Sequence, residues 1–169
     1  MSDVTSMKPP TKHVKSVFLA WIAVIAIDFL LNAGIFASVF VSVDDSFLLS
    51  PEQAFVRIPA GYASLLISTL VLTMLIHRGG EERPVDGLRT GLLFGAATSL
   101  GLVLALWSIS TADSAFLAVW FIDFTLEMTA AGTIIVATRH RVSRRIASLV
   151  SVGAVLCFIL GIVLQNLRV

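Results

Sequence analysis

Cysteine is nearly missing. Cys157 stands alone, which excludes an internal disulfide, a CxxC redox pair and a thiolate zinc cluster. Charge is scarce as well: Asp, Glu, Lys and Arg make up 14% of 169 residues, against about 25% in a soluble domain. Eleven glycines and five prolines are too few for a collagen-like or low-complexity chain. What takes their place is apolar. Hydrophobic residues reach 57% and mean hydropathy is +0.93, a composition unsuited to a surface that faces water. The chain therefore reads as an all-α, polytopic integral membrane protein. The formal charge of +1 says little by itself. The expected partners are the lipid bilayer and either a second copy or another membrane protein, with no nucleic acid.

A helix crossing the hydrocarbon core needs about 20 mostly apolar residues. Five stretches meet this, at about 14–41, 58–76, 87–109, 114–137 and 146–167. The longest connection, 42–57, is too short for a soluble domain, and residues 1–13, with Pro9-Pro10, read as a disordered tail. The basic flank of the first stretch (Lys8, Lys12, Lys15) would suit a signal peptide. A signal core spans only about 7–15 residues, so an uncleaved first helix is expected.

Cytoplasmic loops carry an excess of Lys and Arg. Five spans put every basic residue except Arg57 and Arg168 on one side, including Arg78, Arg83, Arg89, Arg139, Arg141, Arg144 and Arg145. This predicts a cytoplasmic amino terminus, an outside carboxyl terminus, and residence in the plasma or inner membrane. Ser50-Pro51-Glu52-Gln53 is a capping box with proline at the first helical position, so the second helix should begin at Pro51 and enter the membrane near Pro59. Ser110-Thr111-Ala112-Asp113 offers a similar start for the fourth helix and a tight hairpin with the third. Trp107 and Tyr62 fall toward the outer interface and Trp21 toward the inner one, as aromatic anchors do.

Between helices in lipid, close packing rests on small residues and interhelical hydrogen bonds. Gly87, Gly91, Gly95 and Ser99 form one such seam, Gly153, Cys157 and Gly161 a second, and Ser64 and Ser68 a third. The fourth span is polar on two sides. Asp123 and Glu127 share one face, with Trp120 above them. Thr125, Thr129 and Thr133 lie on nearly the opposite face. Little of this helix suits lipid, which places it at the centre of the bundle.

Three acids lie near the membrane midplane without a basic partner: Asp28, with Asn32 one turn on, Asp123 and Glu127. All three histidines, His13, His77 and His140, sit at the cytoplasmic edge. On the insertion scale each central acid costs about 2.5–3.5 kcal/mol, while each large apolar residue returns about 0.3–0.6. The fourth span, with two acids, is marginal and needs its neighbours, protonated acids, or both. Asp28 and Glu127 match in depth and should approach each other across the bundle. The four residues Asp28, Asn32, Asp123 and Glu127 are the candidate ion- or proton-binding set of a small transporter-like protein. The alternative is a non-catalytic membrane partner or assembly factor, in which the acids are interhelical hydrogen-bond glue. No resident metal or other cofactor is expected, because a hard cation needs more oxygens than one chain offers there.

Other chemistries fail on particular residues. Asn32-Ala33-Gly34-Ile35-Phe36-Ala37-Ser38 and Phe121-Ile122-Asp123-Phe124 resemble fragments of the lipoprotein signal peptidase family, a small membrane aspartyl protease. That family's Gly-Asn-x-x-Asp-Arg segment is missing, the helix count differs, and no catalytic role carries over. Length and helix number are similar to the tryptophan-rich sensory proteins, whose Trp- and Pro-rich amino-terminal motif is also missing. Haem needs a buried axial ligand. Glu81-Glu82-Arg83 reads as a solvated charge run.

Overall fold

The computed structural model describes residues 11–41, 51–139 and 142–167. Ser50, Lys8, His140, Arg141 and Arg168, used above for capping and topology, lie outside them. Among the described residues the fold is all helix: α1 (Thr11–Phe29), a π-helical segment (Leu30–Ile35), α2 (Ala37–Val41), α3 (Pro51–Gly79), α4 (Pro84–Ile109), α5 (Ser114–Thr138) and α6 (Arg144–Asn166). Five stretches are long and apolar enough to cross a membrane, with α1 and the π segment forming the first. The protein is a multi-pass membrane bundle.

The first stretch is not one continuous α-helix from 14 to 41. It starts at Thr11, widens at Leu30 and breaks at Phe36, whose N–H donates to Leu31 O five residues back (2.7 Å). A π-turn accommodates one extra residue per turn.

Half of the α5 span is buried, more than of any other. It packs along α4 through the predicted glycine seam. A Cβ on Gly91 would overlap the Met128 carbonyl, one on Gly87 the Gly132 carbonyl, and one on Gly95 would lie 2.9 Å from Thr125 Cα. The seam joins helices within one chain. The fifth-span stripe is used within the chain only in part. Gly161 packs against Phe29, but a Cβ on Gly153 meets nothing, because that part of α6 faces outward. The Ser64–Ser68 pair is not a packing stripe either. Both hydroxyls donate to carbonyls of their own helix, at 2.7 and 3.0 Å, and both line a cavity.

One end of the bundle is closed. Ala20, Val24, Leu72, Ile76, Met128, Ala131, Ile135 and Val136 form its core. Gly80, at φ 70°, takes the left-handed turn that ends α3, a conformation that favours glycine. Asp86 caps α4 by accepting from the Arg83 N–H (3.3 Å) and its guanidinium (3.1 Å). Arg139 donates to the Glu81 carbonyl, Thr90 donates to the Glu81 carboxyl, and Ser16 donates to Thr138 O (3.1 Å). These bonds tie α1, α4, α5 and the α3–α4 turn together.

Candidate functional site

Toward the α4–α5 turn the packing gives way to a cavity of about 750 Å³. Each face of its lining follows from a local feature of the chain. α1 and the π segment supply Asp28, Phe29, Asn32 and Ala33, and α2 adds Phe40. α3 supplies Gly61, Tyr62, Ser64, Leu65 and Ser68, and α4 supplies Thr98, Ser99 and Leu102. α5 contributes Phe116, Trp120, Asp123, Phe124 and Glu127. Asp123 and Glu127 are one helical turn apart, so both point the same way.

The structure brings together all four candidate residues. Asn32 Nδ2 donates to Asp28 Oδ1 and to Asp123 Oδ2, both at 2.8 Å, forming an amide bridge between the first span and α5. One oxygen from each of Asp28, Asp123 and Glu127 lies within 4.8 Å of the others. Asp28 and Glu127 do meet across the bundle, as their matched depth predicts. Glu127 is 1% exposed and Asp123 7%. Among the described residues, Glu127 Oε1, Asp123 Oδ1 and Asn32 Oδ1 are buried with no hydrogen-bond partner, and no lysine, arginine or histidine lines the cavity.

The opposite polar stripe of α5 is fully engaged. The Thr125, Thr129 and Thr133 hydroxyls donate to carbonyls four residues back at 2.6, 2.6 and 2.9 Å. Ser99 Oγ lies 3.3 Å from Thr125 Oγ1. An interior helix with two polar faces thus uses one for packing and places the other, buried, beside the cavity.

The anchor roles of Trp21 and Tyr62 need correction. Trp21 Nε1 donates to Tyr62 O at 2.9 Å, so the two cannot mark opposite interfaces. They tie α1 to α3 at one depth, and Tyr62 belongs to the cavity wall. Trp107 is 69% exposed near the end of α4. Sequence reasoning also missed the aromatic wall. Phe40 packs edge-on against Phe116 at 5.5 Å, and Phe116 against Trp120 at 5.3 Å. The i,i+4 pair Phe116–Trp120, continuing the Asp123–Glu127 side of α5, was the available signal.

No protein-family model, curated protein or solved structure matches the chain.

Proposed function

We propose that the protein is a small transporter-like membrane protein whose midplane carboxylates bind protons or cations. The supporting observation is Glu127, nearly sealed from the surface, with one carboxyl oxygen unpartnered at the edge of a cavity that, among the described residues, has no basic side chain in its lining. A buried acid without a partner is costly, and within a membrane such groups mark ion and proton paths. Three carboxyls this close repel one another when charged, and binding protons or a cation relieves that repulsion.

The reading as structural glue has one observation in its favour, the Asn32 bridge between Asp28 and Asp123. It leaves Glu127 without a purpose, because glue works through completed hydrogen bonds. The test is infrared difference spectroscopy of the reconstituted protein while buffer pH is cycled. A reversible protonated-carboxyl band that disappears in Glu127→Gln is the expected result. No carboxyl response at any pH where the protein stays folded contradicts the proposal.

In this reading the bundle sits in a plasma or inner membrane, amino terminus in the cytoplasm and carboxyl terminus outside. A reporter fused after Val169 should read as periplasmic or extracellular, and one at residue 80 as cytoplasmic. Cytoplasmic signals from both would remove this topology.

A further inference from the structure

We propose that the cavity takes a lipophilic organic monocation, which enters from the bilayer between α3 and α4. This rests on the proton- or cation-binding reading of the same carboxylates and names the class of cation. A hard metal ion is the competing occupant, and three observations favour the organic one. The first is size. At about 750 Å³ the space falls within the roughly 300–1,000 Å³ of small-molecule sites and far exceeds what one ion fills. The second is chemistry. The Asn32 amide nitrogen, a donor, already occupies one oxygen of Asp28 and one of Asp123. A Ca²⁺ ion would need about 6–8 oxygen ligands, whereas the wall beyond the acids is largely aromatic and apolar. Trp120 and Tyr62 in that wall supply the π-systems that suit a diffuse organic cation.

The third is access. Gly61 and Ser64 of α3 and Thr98 and Leu102 of α4 line the cavity and are themselves exposed. A Cβ built on Gly61 meets nothing within 4 Å. The cavity therefore reaches the lipid-facing side of the bundle, where an apolar cation concentrates and a hydrated ion does not. At the inner end the buried, unpartnered Glu127 oxygen supplies the countercharge that a desolvated cation requires.

Tetraphenylphosphonium and tetraphenylborate have the same shape and opposite charge, and equilibrium dialysis of both against the purified full chain in nanodiscs separates charge recognition from greasy adsorption. The expected result is saturable phosphonium binding at one per chain, not displaced by millimolar Mg²⁺ or Ca²⁺, and no saturable binding of tetraphenylborate when it is dialysed separately. Affinity should fall about tenfold or more in Glu127→Gln, and also in Ser64→Trp or Thr98→Trp, which obstruct the mouth without touching an acid. Those two variants should keep the pH-dependent carboxyl band, showing that the fold and the acids are intact. Phosphonium binding that survives all three substitutions, or is displaced by Mg²⁺ or Ca²⁺, overturns the inference. Absent phosphonium binding with a normal carboxyl band overturns it while leaving the carboxylate reading standing. Absence of both overturns the two together.

Discussion

The two ends of the bundle are built from the same helices on opposite terms. Around Leu72, Ile76 and Met128, each fully buried, side chains interlock, and Arg139, Glu81, Thr90 and Ser16 knit the helix ends together. Around Asp28, Asp123 and Glu127, the same α1, α3 and α5 border open space, and three buried oxygens there are unpartnered among the described residues, against one, Glu81 Oε2, at the closed end. Membrane helices associate through packing and hydrogen bonds and not through a hydrophobic drive. The closed end thus holds the bundle together, and the hollow end is free to carry groups that lower stability. Natural proteins tolerate such groups where function needs them.

Substitutions can sharpen this contrast or break it. The largest loss of stability is expected at the closed end. Gly91→Leu must push apart two backbones, so it should reach or exceed the upper end of the roughly 1–3 kcal/mol typical of overpacking, while Leu93→Ile, at an exposed position, stays near wild type. Thermal unfolding in detergent compares them, and equal melting of the two would mean that the seam is not the scaffold. Next comes the one strong bridge at the hollow end. Asn32→Leu removes a donor from two carboxylates at once, and a lost partner for a buried acceptor costs about 1–3 kcal/mol. Unchanged melting would show that the bridge is not formed in the membrane. Trp21→Phe keeps the ring and loses the bond to Tyr62 O, a smaller effect of about 0.5–1.5 kcal/mol. Smallest of all, Gly153→Leu on the open face of α6 should shift stability by less than about 0.5 kcal/mol.

Much of the fold was legible because it follows from length, hydropathy and small-residue spacing. The boundaries of α4 and α5 were readable within a few residues, and the Gly87–Gly91–Gly95 seam was visible as a four-residue repeat. At Gly153 the same repeat has no neighbour within the chain, since spacing shows that a helix can be approached closely but not that another helix is there. The acids were visible one by one as charges in apolar runs. Their convergence followed from depth and from the two-sided polarity of α5, which left that helix no lipid-facing side. The π segment was not visible, because a widened turn depends on how Asn32 and Gly34 meet α5 and α6. The cavity was hidden for a related reason: it is made by helices that fail to pack, and apolar residues such as Leu65 and Phe124 look alike in sequence whether they line a void or fill a core.

If Glu127 serves binding at the expense of packing, Glu127→Met separates the two. Methionine has a similar length, fills the same space and removes a buried carboxyl with an unpartnered oxygen. Thermal stability in detergent should then stay level or rise, by up to about 1–3 kcal/mol, while tetraphenylphosphonium binding and the pH-dependent carboxyl band are lost. A fall in stability of that size, with phosphonium binding retained, would show instead that Glu127 holds the bundle together.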